Sequence, residues 1–130
     1  MNPELKAYPL SGKATFSAAV RAGPFLYVSG MTAWGENRRI IGDDLASQAR
    51  FIYEKLGHVL KEAGATFADV IETTEYVTTL EGYDQTALIR REVFGDGPFP
   101  AATGVQVSAL VREGALIEIS AVAWLGNRAI

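Results

Sequence analysis

The stretch that decides the fold runs from Pro98 to Trp124 and reads PFPAATGVQVSALVREGALIEISAVAW. Apolar residues alternate with small or polar ones over 101–110 and again over 115–125, which is the period of a β-strand. Between these segments, Arg112-Glu113-Gly114 has the composition of a tight turn, because glycine readily adopts the positive φ that such turns need. The stretch therefore predicts a strand–turn–strand hairpin.

A carboxylate, Glu118, lies inside the second predicted strand. Its face of that strand is not simply polar, because it also carries Leu116, Ser120, Val122 and Trp124. A carboxylate among apolar side chains costs several kcal/mol unless it is paired or protonated. Two interpretations stay open: a partly exposed strand glutamate, and a glutamate that faces a cavity.

Upstream, the segments Ala14–Val20 and Phe25–Met31 flank a turn-rich link and predict an antiparallel hairpin. A short third strand is predicted at Arg39–Ile41, after a loop that holds Trp34. Gly30, near the end of the second strand, indicates a bulge, a close approach of another group, or local packing.

Two helices follow from the apolar spacing. The first begins after the N-cap Asp44 and ends at Gly64, and His58 falls off its apolar stripe, which predicts a surface position. The second spans Tyr83–Phe94. Between them, residues 70–80 are rich in β-branched side chains and predict a strand with a glutamate on each face, Glu72 on one side and Glu75 on the other.

The predicted order is β-β-β-α-β-α-β-β, an α+β fold in which two helices pack on one face of a mixed sheet, as one domain over residues 1–130. The opposite sheet face also needs a cover. Strands of different subunits packing together would supply it, so we expect a closed oligomer.

Composition restricts the function. The net charge of −3, with no cysteine and one histidine, argues against nucleic-acid binding, disulfides and a Cys or His metal site. No apolar run approaches the roughly 18 residues of a membrane span. The N-terminus MNPELKAYPL lacks a secretory pattern, which predicts a cytoplasmic protein. Nothing in the sequence calls for a cofactor or a metal.

Several segments together resemble the RidA (YjgF) family of enamine and imine deaminases, over about Tyr8 to Leu125. They are FSAAVRAGPFLYVSG, DLASQAR, VIETTEYVT, and PFPAATGV followed by IEISAVA. The resemblance implies a chorismate-mutase-like fold and a homotrimer with ligands in clefts between subunits. It also implies hydrolysis of a 2-imino acid to a 2-oxo acid and ammonia.

In this family an arginine in a P-A-R-[ST] motif holds the substrate carboxylate, and that position is Ala102 here. A family tyrosine becomes Phe16 and a family asparagine becomes Ala87, whereas the family glutamate remains as Glu118. The resemblance thus implies Glu118 as the catalytic residue. The substrate-binding positions that it suggests, together with our loop and helix candidates, are Phe16, Ser29, Gly30, Trp34, Ala87, Arg91, Ala102 and Thr103.

Without the arginine, the usual imino acid should not bind in the usual way, because the carboxylate would lose its main partner. Arg91, or Arg90 beside it, lies one helical turn after Ala87 and is our hypothesis for a relocated cation. The alternative is a solvated Arg91 that pairs with Glu92 or Asp84.

Glu75 is a further candidate, since family members usually carry an aliphatic or small residue in that part of the strand. It either shares a site with Glu118, or pairs with an arginine at a subunit interface.

The sequence supports two functions. The first is hydrolytic deamination, or tautomerisation, of a small enamine or imine, with Glu118 positioning or activating water. The alternative is a non-catalytic ligand-binding or regulatory trimer. A third function that is linked to the family, ribonuclease or translation inhibitor, is disfavoured by the acidic charge and the missing His/Lys constellation.

Overall fold

The computed structural model describes residues 1–129, which form one six-stranded sheet and two α-helices. The strands are β1 (Leu5–Pro9), β2 (Ser17–Ala22), β3 (Phe25–Met31), β4 (Val70–Val77), β5 (Ala101–Gln106) and β6 (Ile117–Trp124). The α-helices are α1 (Leu45–Glu62) and α2 (Thr86–Phe94), with short 3₁₀ turns at Phe67–Asp69 and Tyr83–Gln85. None of the helices among these residues is long and apolar enough to cross a membrane.

The sheet has the order β1-β2-β3-β6-β4-β5. All neighbours pair antiparallel except β4 and β5, which are parallel, so the predicted mixed sheet with two helices is confirmed. The predicted hairpin of β2 and β3 also forms, although β2 begins only at Ser17 and the turn narrows to Gly23 and Pro24.

The predicted hairpin of the last two strands is wrong. β5 pairs in parallel with β4, and β6 lies between β3 and β4, so the last two strands are not neighbours. The turn itself exists, with Gly114 at φ +86° and the Ala115 amide donating to the Arg112 carbonyl. Alternation along a strand indicates which side chains share a face but not which strand pairs with it.

The predicted third strand at Arg39–Ile41 is also wrong, because only an isolated bridge joins Trp34 to Ile40. The first strand of the sheet is instead β1, which sequence reasoning missed. Its sequence, LKAYP, is short, charged and ends in proline, a composition that is tolerated at the sheet edge it occupies.

Helix α1 follows its prediction closely. The Asp44 carboxylate accepts a hydrogen bond from the Ser47 amide at 2.8 Å and so caps the first turn. The apolar stripe is buried against the sheet, whereas His58 is exposed as expected. Helix α2 ends at Gly95, which has a positive φ of 69°.

The two faces of the sheet differ in their surroundings. The inner face, which includes Leu26, Ile117 and Ile119, is buried beneath the helices. The outer face has no covering layer within residues 1–129, and its Tyr27 and Trp124 are 52% and 53% exposed. Because aromatic side chains are seldom left on an open sheet face, the outer face has the character of an interaction surface.

Candidate functional site

Glu118 lies on the outer face beside Gly30. The pairing of β3 with β6 shifts register between Val28 and Met31, and this bulge brings Gly30 against the carboxylate. A Cβ at position 30 would lie 2.5 Å from Glu118 Oε2. Gly30 is therefore both a bulge residue and a point of close approach. Glu118 is half-buried and makes no hydrogen bond within residues 1–129, so its oxygens are available to accept one.

Two other predicted residues, Ser29 of β3 and Phe16, lie near the start of β2. The Ser29 hydroxyl donates to the Ser17 carbonyl at 2.6 Å, which fixes the start of β2 beside the bulge. Phe16 comes directly before that start and is 60% exposed. Thr103 lies on the outer face of β5. It is opposite Thr74 of β4, which in turn pairs with β6.

A second surface, which we call the β5 pocket, lies on the helix side of the sheet between β5 and α2. It has a volume of about 210 Å³ and is lined by Thr73, Ala87, Arg90, Arg91, Phe94, Phe99, Pro100 and Ala102. It thus brings together three predicted positions, Ala87, Arg91 and Ala102. It does not contain Glu118, which lies on the opposite face with β4 between β5 and β6.

Next to the β5 pocket, Glu75 forms a buried cluster. It is 2% exposed and accepts hydrogen bonds from the hydroxyls of Tyr53 and Tyr83, each at 3.0 Å. Arg90 donates to the same carboxylate at 2.9 Å and to the Thr86 hydroxyl at 2.9 Å. Burial, followed by the negative charge of Glu75, raises the pKa of both tyrosines, so both hydroxyls stay protonated donors.

The cluster corrects the prediction that Glu75 and Glu118 share a site. In the register of β4 and β6, Glu75 is opposite Ile119 and Glu118 is opposite Tyr76, so the two carboxylates point to opposite faces. The predicted pairing with an arginine does occur, but inside the chain. Sequence reasoning missed the two tyrosines, because no local spacing links them to Glu75, and it missed Thr73, because a threonine in a strand is ordinary.

Arg91 lines the mouth of the β5 pocket, where its guanidinium lies 5.8 Å from the centroid of the Phe99 ring. The predicted pairing of Arg91 with Glu92 is wrong, since Glu92 binds Arg50 at 3.0 Å. Asp84 has no ion pair with Arg91 within residues 1–129.

Trp34 lines neither the β5 pocket nor the contact between Gly30 and Glu118. Its ring lies 4.0 Å from the Arg112 guanidinium, and its carbonyl accepts a hydrogen bond from Lys55 at 3.0 Å. Burial, with Arg112 nearby, lowers the pKa of Lys55. Trp34 therefore contacts α1 and the loop before β6 rather than either of these two sites. Within residues 1–129, no cluster of three or more His, Cys, Asp or Glu side chains is arranged to hold a metal.

Residues 8–125 match a family model that is described as endoribonuclease L-PSP. A RutC family protein from Pyrococcus abyssi is 32% identical over 110 residues, which are 84% of this chain and 85% of that protein. The human 2-iminobutanoate/2-iminopropanoate deaminase is 30% identical over 112 residues, 85% and 80% of the two chains.

Among solved structures, YyfA from Yersinia pestis, described as a member of the conserved Rid protein family of unknown function, superposes with a TM-score of 0.85. It is 28% identical in sequence, and the match covers 92% of this chain and 98% of that one.

Proposed function

This chain belongs to the RidA (YjgF) family, and from that premise we propose that it hydrolyses the C=N bond of a small enamine or imine in clefts between subunits. The observation that carries the proposal is the Glu118 carboxylate, half-buried on the outer face against Gly30, with both oxygens free to accept a proton or hold a water. The human relative, which is named 2-iminobutanoate/2-iminopropanoate deaminase, supports the same chemistry.

In the proposed reaction, Glu118 accepts a hydrogen bond from a water molecule and takes its proton as the oxygen attacks the imine carbon. That proton passes to the nitrogen and gives a carbinolamine. Glu118 then takes the proton of the carbinolamine hydroxyl and delivers it to the nitrogen as the C–N bond breaks, so that imine and water become a carbonyl compound and ammonia. Placing Glu118 beside a glycine leaves room for the substrate next to the carboxylate.

A second copy of the chain completes the proposed cleft. Glu118 and the β5 pocket lie on opposite faces of one sheet, so a single copy cannot present both to one small molecule. Strand β5 is a sheet edge whose six residues are all exposed, and such an edge is normally covered. We therefore propose a homotrimer in which the β5 pocket of one copy faces the outer face of the next.

The substrate differs from the usual 2-imino acids in this proposal, because Ala102 replaces the arginine that holds their carboxylate. Glu118 is the proposed catalytic residue. The proposed substrate-binding positions are Phe16, Ser29, Gly30, Ala87, Arg91, Ala102 and Thr103, and Trp34 is retained as a more peripheral candidate.

A non-catalytic, ligand-binding or regulatory trimer is the second candidate. It is favoured by the simultaneous replacement of three family residues, at Phe16, Ala87 and Ala102. It predicts ligand binding without turnover, whereas the hydrolase predicts ammonia release.

The test is a panel of small imines generated in situ, 2-imino acids and uncharged analogues, with ammonia release followed against buffer. The hydrolase predicts acceleration of at least one member, and a fall of about 100-fold in Glu118→Gln. Glu72→Gln is the matched control, because Glu72 is an exposed glutamate of β4 on the same face. No acceleration across the panel would overturn the hydrolase.

A further inference from the structure

The walls of the β5 pocket are mostly apolar. The aromatic rings of Phe94 and Phe99, the ring of Pro100, and the methyl groups of Ala87 and Ala102 supply most of the lining. Its volume of about 210 Å³ suits a branched group of a few heavy atoms. Apolar walls of this kind select a ligand by shape and by one or two polar contacts.

One buried polar atom of the pocket lacks a partner. Thr73 is 1% exposed, and its hydroxyl oxygen makes no hydrogen bond within the described chain. A buried hydroxyl without a partner is destabilising, and native proteins keep few of them. A ligand that fills the pocket and carries a hydrogen-bonding atom would satisfy this hydroxyl.

Neither arginine of the β5 pocket offers a ligand a cation that is both buried and unpaired. The Arg90 guanidinium is neutralised by the Glu75 carboxylate at 2.9 Å, and two tyrosine hydroxyls hold that carboxylate in place. Arg91 lies at the exposed mouth over Phe99, where solvent and salt screen its charge. A carboxylate entering the pocket would lose its hydration without gaining a buried, unengaged cation, which is unfavourable.

We propose that the β5 pocket binds an uncharged, carbonyl-bearing group of the ligand, such as an amide, with Thr73 as its hydrogen-bond donor. This inference deepens the proposed function and rests on it only in identifying the ligand as the substrate. It makes Thr73 a specificity-determining residue and the β5 pocket a site for neutral rather than anionic groups.

The experiment compares two molecules of equal shape, 2-methylpropanamide and 2-methylpropanoate, by NMR titration of the full chain at neutral pH. We expect the amide to shift the Thr73 and Ala102 signals and the carboxylate to bind at least tenfold more weakly. Thr73→Val should weaken amide binding about fivefold to tenfold, the effect of one neutral hydrogen bond. Thr74→Val, on the other face of the same strand, should leave binding unchanged.

Two further variants make the result decisive. Thr73→Val should raise the melting temperature of the ligand-free protein, because it removes a buried hydroxyl without a partner. Ala102→Arg should reverse the preference in favour of the carboxylate, because it places a cation in the pocket wall.

Tighter binding of the carboxylate that is lost in Arg91→Gln would overturn the proposal in favour of a relocated cation. Shifts from neither molecule, or amide binding that is indifferent to Thr73→Val, would also overturn it. Because binding is read without turnover, failure of the hydrolase and failure of this inference give different results.

Discussion

At the scale of single residues, Glu75 is a carboxylate that is only 2% exposed and accepts hydrogen bonds from Tyr53, Tyr83 and Arg90. Glu75→Gln keeps the shape but leaves the Arg90 guanidinium without its anion. We expect unfolding free energy to fall by about 2 kcal/mol, less than for a fully buried pair. The expected loss is smaller because the side chain of Arg90 is 25% exposed, so solvent screens part of its charge. Urea denaturation of wild type and Glu75→Gln measures this difference in the free energy of unfolding.

The control for this prediction is Glu72→Gln, which lies three residues before Glu75 on the exposed face of the same strand. It should change unfolding free energy by less than about 0.5 kcal/mol. Equal effects of the two substitutions would show that the Glu75 cluster does not carry the stability that its geometry indicates.

The ion pair of Asp69 and Arg128 predicts a pH dependence. Two hydrogen bonds from Arg128, at 2.7 and 2.9 Å, hold the pKa of Asp69 below its ordinary value of 3.8. A depressed folded-state pKa stabilises the fold above the unfolded value, and this contribution is lost as pH falls through the folded value. Asp69→Asn should therefore melt at a lower temperature than wild type at neutral pH, and this difference should shrink when the melts are repeated at an acid pH below 3.8.

Thermal melts at the two pH values check this, with Asp96→Asn, an exposed loop aspartate, as control. A difference between wild type and Asp69→Asn that persists unchanged into acid would mean that the pair does not act through charge.

The sequence singled out Glu118 because a carboxylate in an apolar strand is conspicuous. It was less informative about Glu75, whose partners come from α1, α2 and the turn before α2. Such contacts join residues 8 to 22 positions apart, and only the packing of helices on the sheet brings them together. Thr73 gave no signal at all, because a threonine in a strand is ordinary.

At the scale of elements, the bulge in β3 positions the candidate catalytic group. Gly30→Ala should leave the fold intact, because the end of a flexible side chain can move, but the new methyl would displace the Glu118 carboxylate. We expect turnover to fall about tenfold or more. In a Glu118→Gln background the same substitution should add almost nothing, since the displaced group is already inactive. Additive losses would contradict a shared role.

The helices were predictable because their caps and apolar stripes are local signals: Asp44 opens α1, and Gly95 closes α2. The pairing of β5 was not predictable, since β4 and β5 are joined through α2 and only the crossover makes them parallel neighbours. Strand β1 was missed because its Lys6 and Pro9 obscure a pattern only five residues long.

At the scale of the whole molecule, the uncovered outer face predicts an oligomer. Three copies of 14.0 kDa would give a particle of about 42 kDa by light scattering. Tyr27→Lys places a charge on this face and should shift the mass toward one copy. Val111→Lys, at a loop position that is 97% exposed, should not. A wild-type mass of one copy would exclude the proposed cleft.

The most direct test of the central claim, hydrolysis in a cleft built from two copies, is complementation between Glu118→Gln and Ala102→Phe. Each substitution alone should lower turnover about 100-fold or more, the first by removing the carboxylate and the second by filling the β5 pocket. When equal amounts are unfolded together and reassembled, about one quarter of the clefts would pair an intact Glu118 with an intact pocket. The account predicts recovery of about a quarter of wild-type turnover; a mixture as inactive as its parents would contradict it.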